Sequence, residues 1–159
     1  MKLIKKQQGF TLVELLLVIG LFTILTSFVL INSLRPQVSS SVISNVSKVT
    51  ADIKHQQLKA MIGKLDNGSS SYKGVYFDSD KYILFTGNTY NSSDPNNFEI
   101  DIEGVTFSSI NLPSSQIIFE PSSGEVSNYS SSNNSFVIEH SSGFSQTVSI
   151  NEYGSLTIN

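Results

Sequence analysis

Hydrophobic and polar positions fall into three successive patterns along this chain. From Phe10 to Ile31 the sequence FTLVELLLVIGLFTILTSFVLI is almost continuously apolar, with Glu14 as its single charge. A helix of that length is about 33 Å long, enough to cross a bilayer core. Beyond it, apolar residues recur at Val42, Val46, Val49, Ile53 and Ala60, with Leu58, Met61, Ile62 and Leu65 thickening the stripe. Steps of mostly three and four predict an amphipathic helix, with Asp52, Lys54, Lys59 and Lys64 mostly off the stripe. Pro36 is expected to kink or interrupt the chain between the two helical stretches. Ser39 to Ser41 are candidate N-caps, and Gly63 or Gly68 a candidate C-cap.

After Gly68-Ser69-Ser70-Ser71 the period drops to two. Strands are predicted at Tyr72 to Phe77, Lys81 to Phe85 and Phe98 to Glu103, with Val105 to Phe107 continuing the last beyond a bulge at Gly104. Further strands are predicted at Gln116 to Phe119, Phe136 to Glu139, Thr147 to Ile150 and Leu156 to Ile158. Asp78-Ser79-Asp80 and Pro121-Ser122-Ser123-Gly124 read as turns, and Thr86 to Asn97 and Asn128 to Asn134 as polar loops. The expected fold class is α+β: a long N-terminal helix, part transmembrane and part amphipathic, packed on an antiparallel β-sheet head. The expected organisation is a leader over 1–9, a membrane or filament-core helix over 10–35, an amphipathic half over 36–68 and a β-rich head over 69–159.

Charge sharpens this picture. Lys2, Lys5 and Lys6 precede the apolar run and Arg35 alone follows it closely, so positive-inside asymmetry leaves the N-terminus in the cytoplasm and the head outside. A cleaved secretory signal would have a shorter apolar core and a small-residue cleavage site after it; here Asn32-Ser33-Leu34-Arg35-Pro36 follows. A plain anchor explains the length but not Glu14, which costs free energy in a membrane unless a cation accompanies it. Cutting between Gly9 and Phe10 would create such a cation, the new amine of Phe10, for Glu14 of a neighbouring subunit.

The rest of the composition excludes more than it suggests. There is no Cys, hence neither a disulfide framework nor a Cys-based metal site. From Ile83 to Asn159 there are eight acids and no Lys or Arg, an arrangement that repels nucleic acid. The head is rich in Ser and Asn, so five Asn-x-Ser matches carry little weight. Asp78/Asp80 lack the further ligands of a calcium loop. Asp101/Glu103 and Glu120/Glu125 read as solubilising strand acids, and His55 and His140 as isolated surface residues. No nucleophile elbow, phosphate loop or zinc-protease motif occurs, and no enzymatic role or cofactor is expected.

Gly9-Phe10-Thr11-Leu12-Val13-Glu14, preceded by lysines and followed by the apolar run, resembles the class III leader of type IV pilins and pseudopilins. That resemblance implies cleavage after Gly9 by a prepilin peptidase, N-methylation of Phe10 and an assembly role for Glu14. It implies other pilin or pseudopilin subunits and an inner-membrane assembly platform as partners, with the membrane helix later packing in a filament core. The segment Gln116 to Gly124 and the closing strands, Phe136-Val137-Ile138 and Asn151 to Ile158, resemble GspH/FimT-like minor pseudopilins. Some members of that group bind DNA through basic residues at the terminal glycine turn; Gly154-Ser155-Leu156-Thr157 has none. The expectation is therefore a minor structural subunit of a type IV pilus or a type II secretion-like filament. The alternatives are a tip-binding module (an adhesin or a DNA-uptake subunit) and a major pilin.

Overall fold

The computed structural model describes residues 9–33, 35–63 and 71–159, with side chains at 9–27, 39–63 and 71–159. The three leader lysines, Leu65 and the Gly68 to Ser70 turn lie outside the described residues. The chain divides into two compact units, 1–37 and 38–159.

The first unit carries helix α1, Leu12–Ser33. Every described residue from Gly9 to Ser27 is exposed, including Leu15, Leu16, Val18, Ile19, Phe22 and Leu25. Its hydroxyls turn back onto its own backbone. Thr23 Oγ1 donates to the Ile19 carbonyl at 2.8 Å and Ser27 Oγ to the Thr23 carbonyl at 2.8 Å, which satisfies both groups without water. Among the described residues no helix is long and apolar enough to cross a membrane; the described side chains of α1 end at Ser27.

Helix α2 runs Arg35–Ile62, so it starts earlier than the Ser39 to Ser41 caps predicted. Pro36 falls in its first turn, where a missing backbone donor costs nothing because that donor has no intrahelical partner. Within the second unit the predicted stripe is the buried one: Val42, Val46, Val49, Ile53 and Ala60 are at most 2% exposed. Leu58, Met61 and Ile62 are not part of it; they are 48–68% exposed. The position the stripe skips belongs to Gln56, which is buried and donates from Nε2 to the Gly74 carbonyl at 3.0 Å and the Phe85 carbonyl at 3.4 Å. Gly63 ends the helix in the left-handed region, φ 58°, its N–H reaching the Ala60 carbonyl at 3.2 Å.

The head is two four-stranded antiparallel sheets. The first has the order β3-β2-β1-β5, built from β1 (Lys73–Phe77), β2 (Lys81–Thr86), β3 (Phe98–Asp101) and β5 (Gln116–Phe119). The second has the order β4-β6-β7-β8, built from β4 (Thr106–Asn111), β6 (Ser135–Glu139), β7 (Ser145–Ile150) and β8 (Leu156–Ile158). The fold class is thus α+β as the sequence pattern indicates. One strand prediction is corrected: Val105 to Phe107 does not continue Phe98 to Glu103. The chain leaves the first sheet after Asp101, buries Ile102 and Val105, and enters the second as β4. Gly104, at φ 73°, turns the chain between the sheets, and the register irregularity falls instead between Phe107 and Ser109.

The turn at Asp78-Ser79-Asp80 closes the β1–β2 hairpin and also holds this crossover: Ile102 N–H donates to the Asp80 carbonyl at 3.1 Å and Phe107 N–H to the Ser79 carbonyl at 2.9 Å. Both sheets and α2 share one core. Phe77 of the first sheet meets Phe136 of the second at 4.7 Å between ring centres and Phe107 edge-on at 5.3 Å. Tyr82 is buried, and its hydroxyl donates to Asp52 Oδ2 on α2. Burial first, then the Asp52 carboxylate, raises the phenol's pKa above its ordinary value. Tyr82→Phe keeps the ring and removes this bond; a hydrogen bond to a charged group contributes about 1.5–3 kcal/mol. Urea denaturation followed by circular dichroism should show a loss near the lower end of that range, because Asp52 is only partly buried.

Candidate processing and assembly site

The site predicted from sequence lies at the start of α1. Gly9 and Phe10 precede the helix; Phe10 is 81% exposed, and nothing lies within 4 Å of where a Gly9 side chain would begin. The described residues leave this backbone uncovered. Thr11 is the N-cap. Its carbonyl accepts the first intrahelical bond, from Leu15 N–H at 3.1 Å, and its hydroxyl accepts from Glu14 N–H at 3.2 Å. Glu14 Oε2 reaches back to Thr11 N–H at 3.5 Å and to the Thr11 hydroxyl at 3.4 Å. This is a capping box, reciprocal although its return bonds are long. Glu14 also lies in the first helical turn, where a negative charge suits the helix dipole.

Thr11 is the residue that the reading of Glu14 missed. The signal was present, since Thr-x-x-Glu before an apolar run is the sequence form of a capping box. Gly9, Phe10 and Glu14 are brought together only as neighbours along the chain.

The other residues singled out from sequence lie in the second unit. His55 is exposed on α2. His140 Nδ1 accepts the Ser142 N–H at 3.1 Å and lies 2.9 Å from the Ser142 hydroxyl, within a turn. Among the described residues, no group of three or more His, Cys, Asp or Glu side chains is placed to hold a metal ion. The terminal glycine turn is not without a cation: Lys54 comes from α2, Nζ donating to the Gly154 carbonyl at 2.7 Å. Gln57 secures the same turn, donating from Nε2 to the Tyr153 carbonyl at 2.8 Å and to the Gly124 carbonyl at 2.9 Å. Gly154 is required there, since at φ 73° a Cβ would lie 2.3 Å from Gln57 Nε2. The Thr86 to Asn97 loop is folded onto the first sheet. Tyr90 stacks on Tyr76 at 4.1 Å, and its N–H donates to Gln116 Oε1 at 2.9 Å.

Comparison with curated proteins and with solved structures gave no match. Comparison with protein families gave one: residues 4–30 match the prokaryotic N-terminal methylation motif. That stretch contains Gly9, Phe10, the Thr11/Glu14 capping box and the exposed apolar part of α1. The chain therefore carries the class III leader that marks type IV pilin-like proteins, the substrates of prepilin peptidase.

Proposed function

We propose that this chain is a minor pilin or pseudopilin, a structural subunit of a type IV pilus or a type II secretion-like filament. Prepilin peptidase removes residues 1–9, and the new terminal amine, on Phe10, is methylated. The run from Phe10 to Ile31 holds the subunit in the inner membrane with its N-terminus in the cytoplasm and residues 38–159 outside. Assembly then transfers the helix, with its platform and sister subunits as partners, into a filament core.

The observation that carries this reading is an apolar surface all round α1, starting at a motif built for cutting. A helix with one apolar stripe packs on its own domain, whereas one apolar on every side needs lipid or other helices. Glu14 then has two uses. In the single subunit it caps α1; in a bundle its carboxylate lies level with the Phe10 amine of a neighbour. The head supplies a self-contained core and pinned loops, as suits a tiling unit. Co-expression with a prepilin peptidase, followed by mass spectrometry of the intact protein, should show loss of residues 1–9 and gain of one methyl group on the Phe10 nitrogen. A chain that still begins at Met1 under those conditions contradicts the proposal.

A further inference from the structure

The edge of a β-sheet presents unpaired N–H and C=O groups to any strand that fits, so a stable head guards its edges. The two sheets here end at β3 and β5 and at β4 and β8. Asn128 seals β5: its Oδ1 accepts the Ile118 N–H at 3.1 Å and its Nδ2 donates to the Gln116 carbonyl at 2.7 Å. Ser127 N–H takes the Ile118 carbonyl at 2.9 Å. On β4 the register slips between Phe107 and Ser109, and the Phe107 N–H is bound to the Ser79 carbonyl. A bulged edge of this kind refuses a regular partner. β3 carries Glu99 and Asp101. Two such strands paired antiparallel about Ile100 would set Glu99 of one against Asp101 of the other, like charges face to face.

β8 has none of these guards. Leu156-Thr157-Ile158 carries no charge, proline or bulge, and Ile158 is 48% exposed. Thr147 and Asn159 exchange both backbone bonds, at 3.0 and 2.9 Å, and Asn151 N–H donates to the Ser155 carbonyl at 3.1 Å. In an antiparallel ladder the direction of these groups alternates residue by residue. Ser155, Thr157 and Asn159 therefore face β7, while the N–H and C=O of Leu156 and Ile158 point away from the sheet. The side chains alternate as well. Leu156 packs on the core and Ile158 pairs with Val148 on the same face, whereas Thr157 stands beside Ser149 on the outer one.

We propose that β8 pairs antiparallel with β8 of a second copy, across a two-fold axis at Thr157, so that the second sheets of two heads run on as one. The occupant is a second copy because the strand is complementary to itself. In this register Leu156 of each copy exchanges both its free backbone bonds with Ile158 of the other. Leu156 and Ile158 then lie side by side on the inner face, an apolar cross-strand pair. Thr157 meets Thr157 on the outer face, in the non-hydrogen-bonded position where side chains approach closest. The neighbouring outer residues, Thr147 and Ser149 on β7, are uncharged, so nothing near the axis repels. A strand this short makes a weak contact between free heads. α1, apolar all round, gathers copies in lipid or detergent and raises their effective concentration. A two-fold contact closes on itself, so it is not the repeating contact of a filament. It adds a pairing of heads to the reading above and does not depend on it.

The test uses the full chain in detergent, whether or not residues 1–9 have been removed. The chain has no native cysteine, so Thr157→Cys places one thiol per copy at the axis. Mild oxidation and a non-reducing gel should show a disulfide-linked dimer. Ser149→Cys is the control: one strand further in, it lies about 14 Å from its counterpart, beyond the reach of a disulfide, and should stay monomeric. Adding Ile158→Pro to Thr157→Cys removes an outward donor and spares the ladder to β7. It should lower the dimer yield about tenfold, the effect of losing one backbone bond on each side of the axis. A Thr157→Cys chain that reacts with maleimide but gives no dimer overturns the proposal. Equal dimer from Ser149→Cys overturns it too, since that is random collision. A thiol at 157 shielded from maleimide without any dimer overturns it in favour of a different partner on this edge.

Discussion

Phe77→Ala should cost about 3–5 kcal/mol, the usual range for truncating a fully buried aromatic residue. Phe77 is 1% exposed and joins the two sheets: it stands on β1, while its ring partners Phe107 and Phe136 stand on β4 and β6. Among the described residues, no other ring contact in the core spans both sheets as closely as the 4.7 Å pair with Phe136. Truncation leaves a cavity bordered by β-sheet backbone, which is hydrogen-bonded on both sides and cannot collapse inward cheaply. The aromatic pairing, worth about 0.5–1.5 kcal/mol, is part of that cost. Small domains have only about 5–15 kcal/mol of stability, so the variant should sit close to unfolding at ambient temperature. Ile158→Ala is the comparison: on β8 and 48% exposed, it should shift the urea midpoint little. Equal midpoints for Phe77→Ala and the wild type would mean that the sheets are not held together through this ring.

The second large effect concerns Glu14. Two substitutions separate its two uses. Glu14→Gln keeps the capping box, because a glutamine at this position can also return a bond to Thr11 N–H. Glu14→Ala removes the return bonds to Thr11 and the charge, while the backbone N–H of residue 14 still donates to the Thr11 hydroxyl. If the carboxylate is needed opposite the Phe10 amine of a neighbour, Gln and Ala should both lower filament incorporation by about tenfold or more, while membrane insertion and removal of residues 1–9 stay unchanged. If the return bond alone matters, only Ala should be affected. Quantifying sheared filaments beside the membrane fraction distinguishes these outcomes. Normal incorporation of Glu14→Gln would take the charge out of the mechanism.

What the sequence made legible follows from what has a period. The stripe Val42, Val46, Val49, Ile53 and Ala60 was readable because burial on one side of a helix repeats every 3.6 residues. Leu58, Met61 and Ile62 were read into it wrongly, because composition alone cannot tell which apolar residues the neighbouring sheet reaches. Gln56 was invisible for the opposite reason: its burial depends on two carbonyls, of Gly74 and Phe85, that only the folded hairpin supplies. The strands were found where aromatic and β-branched residues alternate. β4 was mistaken for an extension of β3 because alternation carries through Gly104, and a change of sheet leaves no mark in side-chain period. Division into two sheets is a matter of pairing between distant segments, on which local pattern is silent. At the N-terminus the motif lay in consecutive residues, so it could be read without any fold.

The buried amide of Gln56 bears on how the head withstands traction. Moving α2 along its axis by one turn would carry that amide away from the Gly74 and Phe85 carbonyls, leaving polar groups stranded in an apolar seam. Lys54 and Gln57, bonded to the turns at Gly124 and Gly154, would lose their partners in the same movement. The helix is keyed against sliding like a bolt with a cross-pin. A pull arriving along α2 is therefore delivered to both sheets at once instead of being dissipated by slippage.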